Sequence, residues 1–249
     1  YLFINPNTIN KIISTEKTIY FSNKTDVQIE YEKISSTPKT PKNVREIYIA
    51  GWIPDWGLSD GFDTLKKFQG LFNGISIFTY TVNPDGSLND VSRDLNASII
   101  DYARGNGIEV IPTITMFDSD IITQVLRSPE NLKKHIEQII SVVINNGYDG
   151  IDLDYESFYL ADKKQFFQFL EELSTQLKSN NKKLVFTAHP KWGDLIPYST
   201  YVQTRGVQDY KKISDLSDEL RIMAYNFFGR KTDMAGPNAP LNWIEQIIK

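Results

Sequence analysis

A short segment near the middle of the chain, residues 148–156, alternates acidic side chains with apolar and aromatic ones. Its sequence is YDGIDLDYE, and the alternating acids are Asp152, Asp154 and Glu156. Successive residues of a β-strand point to opposite faces. The segment is therefore predicted to be a strand with one apolar face and one face that carries three carboxylates, which restricts it to a sheet packed on one side by apolar residues.

Three carboxylates on one face of a buried strand cannot all ionise at low cost, so at least one pKa is expected to be raised. A carboxyl group with a raised pKa beside ionised neighbours suits a general acid near neutral pH. Two other interpretations remain open: a site for calcium or another hard cation, which prefers oxygen ligands, and a purely structural acidic strand. Calcium sites usually come from loops, whereas these acids lie inside an apolar alternation, so catalysis is favoured.

The bulk composition limits the function further. A chain of 249 residues can bury one sizeable core, and α/β barrels of this length are often single domains. The net charge of −4 and the lack of a basic run argue against a nucleic-acid partner. The chain has no cysteine, which excludes disulfides and a thiolate zinc site. No apolar run of about 18 residues is present, so we expect no membrane span.

The two histidines and the chain start say less. His135 and His189 are far apart and form no metal-binding pattern. His135 lies in a charged helical stretch, which predicts a surface position, and His189 ends an apolar strand, which favours a structural role over a pocket role. The first residues, YLFIN, show neither an initiator methionine nor a signal-peptide pattern, so we expect a processed piece whose compartment is not readable from this end.

The composition divides the chain into two parts. Residues 1–43 are rich in Asn, Lys, Ser and Thr and are predicted to be an N-terminal arm, with a hairpin near 20–31 and a linker at 35–41. Residues 44–249 are predicted to be a catalytic domain in which strands and helices alternate.

Six strands and six helices are predicted in the second part. The strands are Ile47–Trp52, Ile75–Tyr80, Glu109–Thr115, Gly150–Asp154, Leu184–Ala188 and Glu219–Tyr225. The helices are Asp63–Phe68, Leu95–Gly105, Asn131–Asn145, Lys163–Leu177, Tyr210–Ile213 and one that begins near Asn242. This alternation predicts parallel strands with helical crossovers, which fits either a doubly wound open sheet or a (βα)8 barrel.

The central segment resembles the Asp-Gly-x-Asp-x-Asp-x-Glu signature of glycoside hydrolase family 18, the chitinase-like hydrolases. All five defining residues are present: Asp149, Gly150, Asp152, Asp154 and Glu156. Residues 47–56, 75–88 and 221–227 resemble strands of the same family, so the resemblance covers roughly residues 44–249. It implies a TIM (βα)8 barrel with the acidic cluster at its carboxyl-terminal face. Because only six strands precede Lys249, we expect a barrel truncated after strand six, with an exposed apolar edge beside its first and sixth strands.

Two departures from the family pattern matter. Asn226 stands where the family commonly has Asp, which removes a negative charge and affects sugar contacts and the pH profile. Pro112–Phe117 replaces the Ser-x-Gly-Gly motif often found on the third strand. This second departure favours the bacterial spore-cortex-lysin and cell-wall branch over typical chitinases. The family's eighth-strand tryptophan is not assigned to any position in this chain.

The resemblance implies roles for four residues. Glu156 would protonate the glycosidic oxygen and then activate water, while the substrate's own 2-acetamido oxygen acts as nucleophile, with retention at the anomeric carbon. Asp154 would orient the acetamido group, Asp152 would tune the protonation of Asp154, and Tyr225 would donate its hydroxyl to the acetamido oxygen. The mechanism implies no metal and no organic cofactor.

Substrate contacts are predicted from the sixth-strand motif and from aromatic residues. Met223 and Asn226 belong to that motif. Aromatic rings pack well on sugar faces, and the candidates are Trp52, Trp56, Phe78 and Tyr80. Core packing is favoured for Phe78, and a pocket position is favoured for Tyr80 and Trp52.

The sequence therefore predicts a glycosidase of chitinase or N-acetylglucosaminidase type. The expected substrates are peptidoglycan or spore-cortex glycan first and chitin next, with a role in spore germination and an extracellular, cell-wall or spore location. A monomer is expected. One alternative is a catalytically inactive chitinase-like glycan-binding protein, although such lectins usually lose the acid and Glu156 is present. The other is an interaction scaffold or inactive truncated piece.

Overall fold

The computed structural model describes residues 2–4, 47–191, 200–228 and 235–248. Residues 1–3 and 49–249 belong to one compact unit. A second unit, residues 4–48, lies almost entirely outside the described part. The predicted hairpin and linker fall there, and the boundary between residues 43 and 44 stays a prediction.

The described residues form nine strands and eight α-helices. The strands are β1 Leu2–Ile4, β2 Ile49–Ile53, β3 Gly74–Val82, β4 Leu88–Asp90, β5 Glu109–Val110, β6 Thr113–Met116, β7 Gly150–Tyr155, β8 Lys183–Ala188 and β9 Glu219–Ile222. The helices are α1 Leu58–Lys67, α2 Asp94–Gly105, α3 Ser119–Arg127, α4 Pro129–Asn145, α5 Lys163–Ser179, α6 Thr200–Val207, α7 Tyr210–Leu216 and α8 Leu241–Ile247. No helix in these ranges is long and apolar enough to cross a membrane.

The strands make one open sheet in the order β1-β2-β3-β6-β7-β8-β9. Every neighbouring pair from β2 to β9 is parallel, while β4 is antiparallel to β3 and β5 is parallel to its start. Sequential parallel strands with helical crossovers are the arrangement of a (βα) barrel. The predicted α/β fold, a TIM barrel truncated after its sixth strand, is therefore confirmed as a half-barrel.

The two ends of the sheet differ from each other. Short β1 lies beside β2, so the bare edge predicted next to the first barrel strand is not found there. Beyond β9, the described residues provide no further strand. Leu220 and Ile222 on β9 are half-buried, whereas β8 is almost wholly buried. Burial thus falls off at the open end.

The main core lies between the outer face of the sheet and the helices. On β7, Ile151, Leu153 and Tyr155 are fully buried. Helix α4 contributes Ile136, Ile139 and Val143 to the core, and helix α5 contributes Phe166, Phe169, Leu170, Leu173 and Leu177. The helical spacing in the sequence predicts the buried faces from Ile136, Ile139, Ile140 and Val143 and from Phe166, Phe167, Leu170 and Leu173. Of these eight, Ile140 and Phe167 are only partly buried.

Three short polar side chains tie neighbouring strands together at the amino-terminal end of the sheet. Asn73, Asp149 and Asp218 each directly precede a strand. Their oxygens accept hydrogen bonds from the main-chain N–H groups of Ile49 at 2.8 Å, Val110 at 2.8 Å and Leu184 at 2.9 Å, respectively. Asp149, the first acid of the family signature, therefore has a structural role.

Gly150 has a steric reason to be glycine. A Cβ at this position would lie 2.3 Å from the main-chain oxygen of Lys183 on the neighbouring strand. No side chain fits at that distance without moving backbone. The Asp-Gly half of the signature is thus explained by strand packing.

Two helices were not predicted. Helix α3 begins after Asp118, whose side chain accepts hydrogen bonds from two main-chain N–H groups at the helix start. Ser128 then ends α3 and caps α4, with Pro129 at its first position. Because no loop separates the two helices, α3 was not recognised in the sequence as a separate helix. Helix α6 has no clear amphipathic pattern in the sequence.

The prediction of a surface position for His135 was wrong. Its side chain is fully buried on α4 because the turn between β3 and β4 covers it. Nδ1 lies 2.9 Å from the main-chain oxygen of Gly86, and Nε2 lies 2.7 Å from the hydroxyl of Tyr155. A carbonyl oxygen only accepts, so Nδ1 carries the proton and Nε2 accepts from Tyr155.

Candidate active site

The three carboxylates lie at the carboxyl-terminal end of β7. Asp152 and Asp154 are buried on the inner face of the strand, and Glu156 directly follows it with a side chain that is 30% exposed. The main-chain N–H of Glu156 donates to the oxygen of Met116 at 3.1 Å, which fixes the end of the strand against β6. This placement matches the alternation in the sequence.

Asp152 is surrounded by donors. Trp52 Nε1 and Thr113 Oγ1 each donate to its Oδ2 at 2.9 Å, and Thr187 Oγ1 donates to its Oδ1 at 2.9 Å. The Arg221 guanidinium lies 3.8 Å from Oδ2. Burial raises the pKa of Asp152, while the charge of Arg221 and the three donors oppose that rise. Oxygens occupied by N–H and O–H donors do not suit a cation ligand.

Asp154 has the opposite surroundings. It is only 2% exposed, and its Oδ1 has no hydrogen-bond partner among the described residues. Burial, followed by the charges of Glu156 and Asp152, raises the pKa of Asp154 well above its usual range. Because donors stabilise the ionised form of Asp152 and not that of Asp154, the proton held by this pair resides preferentially on Asp154.

Glu156 is suited to proton transfer. Burial raises its pKa, so it keeps its proton at a higher pH than an exposed glutamic acid does. It also lines an open cavity, where a bound molecule can reach the carboxyl group. A protonated carboxyl in contact with a pocket is a candidate general acid.

A cavity of about 440 Å³ lies over the carboxyl-terminal ends of the strands. Its lining includes Asp154 and Glu156. Six further predicted site residues also line it: Trp52, Trp56, Phe78, Met223, Tyr225 and Asn226. Residues that the sequence did not assign to the pocket include Phe117, His189 and Trp243. In a (βα) barrel this face carries the active site.

Comparison with known proteins identifies the family. Residues 87–248, more than half of the chain, match the model described as glycosyl hydrolases family 18. The chain belongs to this family.

Relatives of this family 18 chain include sporulation proteins and chitinases. A Bacillus subtilis protein named as a sporulation-specific glycosylase, YdhD, is 28% identical over 211 residues, which cover 81% of this chain and 48% of the relative. Its crystal structure superposes with a TM-score of 0.61 at 29% identity, over 70% of this chain and 56% of that one. The chain spans about half the length of the curated relatives it matches.

Two more distant solved structures share the fold. A class V chitinase from Pseudomonas fluorescens has a TM-score of 0.70 at 21% identity and covers 79% of this chain and 62% of its own. The spore cortex-lytic enzyme SleL from Bacillus cereus has a TM-score of 0.67 at 19% identity, with coverage of 80% and 46%.

Tyr80 does not line the cavity of this family 18 chain, so its predicted pocket position was wrong. Its ring is 4% exposed in the core, and its hydroxyl lies 3.4 Å from that of Tyr148. The pairing of β3 with β6 shifts register between Phe78 and Tyr80. The irregularity breaks the alternation of faces, which turns Tyr80 away from the cavity.

The prediction that favoured core packing for Phe78 was also wrong, because this ring lies at the cavity. It makes edge contacts with Trp52 and Trp56, at centroid distances of 6.4 and 5.8 Å. Trp56 is 77% exposed. The three rings form an aromatic wall on one side of the carboxylates.

Asn226, which departs from the family pattern, also has an unusual backbone conformation. Asn226 has a φ of 63°, a left-handed conformation that Asn tolerates better than most residues. Its main-chain N–H donates to the side-chain oxygen of Asn238 at 2.8 Å. The chain turns here, and β9 ends at Ile222 instead of reaching Tyr225 as predicted. Asn226 is exposed at the cavity, whereas Met223 is buried.

Sequence reasoning missed a polar network beside Glu156. His189 Nε2 lies 3.1 Å from the main-chain oxygen of Glu156 and 3.3 Å from its Oε2. Gln208, buried just after α6, accepts from the N–H of His189 at 2.9 Å and donates to the oxygen of Tyr155 at 3.0 Å. These partners are far apart in sequence, so no local pattern indicates the network; a histidine at the end of an apolar strand was the one signal.

Proposed function

We propose that this chain is a retaining glycoside hydrolase that cleaves β-linked N-acetylglucosamine glycans, with the substrate's own acetamido group as nucleophile. One observation carries the proposal. A single cavity holds Glu156, whose pKa is raised, beside Asp154, whose buried Oδ1 has no partner among the described residues. The pair supplies a proton donor and an unfilled acceptor for a substrate N–H.

In the first step, Glu156 gives its proton to the glycosidic oxygen as the bond from that oxygen to the anomeric carbon breaks. The carbonyl oxygen of the 2-acetamido group attacks the anomeric carbon from the other face. The product is an oxazolinium ion attached to the cleaved sugar, and the departing glycan carries the proton.

Asp154 acts on the acetamido group during this step. Its Oδ1 accepts the amide N–H, and once the proton of the pair has moved to Asp152, the negative charge on Asp154 stabilises the developing cation. Asp152 lies behind it on the same face of β7, and the two titrate as a coupled pair. Tyr225, which lines the cavity, donates its hydroxyl to the acetamido oxygen.

In the second step, Glu156 has become a carboxylate and removes a proton from water. The water oxygen attacks the anomeric carbon, opens the oxazolinium ring and restores the acetamido group. Two inversions give net retention of configuration, and Glu156 ends protonated, as it began.

The lining of the cavity suits a sugar chain. The rings of Trp52, Trp56 and Phe78 offer rigid apolar faces beside the carboxylates. A pocket of this size with aromatic walls and few polar groups is typical of small-molecule and oligosaccharide sites. The lining thus supports a polysaccharide substrate, and the proposed acetamido nucleophile requires that it contain N-acetylglucosamine.

Cell-wall or spore-cortex glycan is the first substrate to propose, and chitin the second. The names of two relatives, a sporulation-specific glycosylase and a spore cortex-lytic enzyme, support this order. We propose that the protein acts outside the cell or in the spore envelope, as a monomer. Release of reducing ends from chitin but none from peptidoglycan would reverse the order.

The test compares the whole protein that carries this sequence with its Glu156→Gln variant on an N-acetylglucosamine oligomer with a chromogenic leaving group. Gln keeps the shape of Glu but cannot donate the proton, so hydrolysis should fall by about 100-fold or more. Glu171→Gln on the exposed face of α5 is the matched control and should leave the rate unchanged. Oligomer binding without turnover in the unaltered protein would favour the glycan-binding alternative.

A further inference from the structure

His189 stands where β8 ends and the cavity begins. Its side chain is 16% exposed, and it lines the same cavity as Glu156. Its Nε2 lies 3.1 Å from the main-chain oxygen of Glu156 and 3.3 Å from Oε2 of the same residue. One ring nitrogen thus faces both the backbone and the carboxyl of the candidate general acid.

The chemistry of the partners determines the tautomer of His189. A main-chain carbonyl oxygen only accepts hydrogen bonds, so the nitrogen that faces it must carry a hydrogen. The Nε2–H therefore lies between two acceptors that belong to Glu156. Burial, and then the nearby charge of Arg205, lowers the pKa of His189, although the bond to the Glu156 carbonyl opposes this. The imidazole is accordingly a neutral N–H donor near pH 7.

The backbone of His189 is held on both sides. Its N–H donates to Gln208 Oε1 at 2.9 Å, and its carbonyl accepts from the Tyr210 hydroxyl at 2.5 Å. Gln208 also donates to the carbonyl of Tyr155, the residue before Glu156, at 3.0 Å. The end of β7 and the end of β8 are thereby joined through one buried amide, which limits how far the imidazole can move from Glu156.

Other charged and titratable groups surround this contact. Asp154 and Asp152 lie below Glu156 on β7, Tyr225 faces the cavity from the segment after β9, and Arg205 lies on α6. Burial disfavours a negative charge on Glu156. A donor aimed at the Glu156 carboxyl opposes that effect.

We propose that His189 is a positioning residue for Glu156: its neutral Nε2–H holds the carboxyl group in one orientation and stabilises the carboxylate while Glu156 activates water. The inference rests on the proposed function, in which Glu156 must be an acid in one step and a base in the next. A donor that favours the ionised form serves the second step without removing the proton needed for the first.

Two substitutions of His189 distinguish the effect of its N–H donor from the effect of its aromatic ring. His189→Gln places an amide N–H near the position of Nε2 and cannot titrate in this range, whereas His189→Phe keeps a ring and has no donor. In His189→Phe, kcat should fall roughly tenfold with a smaller change in KM, and the basic limb of the pH profile should move up by about one pH unit, because the ionised form of Glu156 loses a hydrogen bond. His189→Gln should restore kcat to within about threefold and leave the basic limb where it is in the unaltered protein.

A second measurement does not depend on turnover. The chain has two histidines, so the imidazole ¹⁵N spectrum contains two ring systems, and the loss of one in His189→Gln assigns them. His189 should be a neutral Nε2–H tautomer near pH 7, whereas His135, whose Nδ1 faces the oxygen of Gly86, should be the Nδ1–H tautomer. Matching thermal midpoints of the Gln and Phe variants would ensure that both are folded.

The possible failures are distinct. If the unaltered protein hydrolyses no N-acetylglucosamine glycan, the proposed function falls, and this inference falls with it. If the unaltered protein is active but folded His189→Phe keeps its kcat and its pH profile, the inference alone is overturned. An Nδ1–H or charged His189 near pH 7 would also overturn it.

Discussion

The outer face of β7 carries a buried polar group whose hydrogen bonding is complete, whereas the inner face carries one that lacks a partner among the described residues. On the outer face, the Tyr155 hydroxyl donates to His135 Nε2 at 2.7 Å, and His135 donates in turn to the oxygen of Gly86. On the inner face, Asp154 Oδ1 is buried without a partner. The two residues are adjacent in sequence and equally hidden from solvent.

This difference indicates that the outer face of β7 serves the stability of the fold, whereas the inner face serves the chemistry of the site. A buried polar atom without a hydrogen bond costs about 1–3 kcal/mol, so packing alone would not favour Asp154 at this position. Asp152, one step further down the same face, has three donors and a nearby guanidinium. The unsatisfied group lies where the cavity begins, which is where a substrate can complete its hydrogen bonding.

The strongest test of this comparison exchanges each inner carboxylate for an amide. Asp154→Asn should lower kcat/KM on an N-acetylglucosamine oligomer by about 10²–10³-fold, because charge stabilisation in the transition state is lost. Its free energy of unfolding in urea should not fall, since the carboxyl group that it replaces has a buried Oδ1 without a partner among the described residues. Asp152→Asn should lower the free energy of unfolding, because its donors lose a charged acceptor. A greater loss of stability in Asp154→Asn than in Asp152→Asn would break the comparison.

Gly150→Ala tests the purely structural end of the same strand. The added Cβ would meet the main-chain oxygen of Lys183 at 2.3 Å, so β7 and β8 must separate. We expect a loss of about 3 kcal/mol in the free energy of unfolding, at the upper end of overpacking costs. Gly105→Ala, in the last turn of α2 with no atoms nearby, is the control and should change stability by less than about 1 kcal/mol. Equal effects of the two substitutions would contradict the steric explanation.

The buried His135 predicts a pH dependence of stability. Burial lowers its pKa from 6.5 to about 4. Below about pH 6.5 the unfolded chain therefore binds a proton at His135, whereas the folded chain binds it only below about pH 4. The contribution of neutral His135 to the free energy of unfolding is thus complete above pH 6.5 and is lost as the pH falls from 6.5 to 4. The loss approaches roughly 3 kcal/mol.

The control for this pH effect is His135→Asn, which keeps a donor near the oxygen of Gly86 but does not titrate. Its stability should vary less between pH 7 and pH 4.5 than that of the unaltered protein. The carboxylates of the site and His189 titrate in both proteins, so the difference between the two curves isolates His135. Parallel curves from urea unfolding at several pH values would refute the prediction.

The smallest expected effect concerns the outer hydroxyl itself. Tyr155→Phe removes the hydrogen bond to His135 and should lower the free energy of unfolding by about 1 kcal/mol, with little change in kcat/KM. Tyr159→Phe removes an exposed hydrogen bond to Asp120 and should change stability by less than about 0.5 kcal/mol. If Tyr155→Phe lost activity but not stability, the division of roles between the two faces would be wrong.

Local pattern predicted much of this molecule. The two-residue period of Asp152, Asp154 and Glu156 places them on one face because a strand has no other way to arrange them. The helical spacing in α4 and α5 likewise predicted the buried faces. Where a side chain's face depends on a single strand or helix, the sequence of that element is sufficient to predict it.

The sequence did not predict the position of a side chain where that position depends on the packing of two elements against each other. Tyr80 does not line the cavity because β3 shifts register against β6, and this irregularity depends on the partner strand. His135 is buried because a turn nearly fifty residues earlier covers it. The contact between His189 and Glu156 depends on Gln208, which follows a helix without an amphipathic pattern. Nothing local to any of the three residues therefore indicates the contact.

The hydrogen bond from Trp52 to Asp152 has an optical consequence. The indole N–H points at a carboxylate whose charge depends on how protons are distributed along β7, and indole emission responds to a charge at that distance. Loss of that charge would alter the emission of Trp52, and Trp52→Phe would identify its share among the four tryptophans of the chain. The protein thus contains an intrinsic fluorophore at the base of its carboxylates, with which their titration can be followed by light in the absence of any sugar.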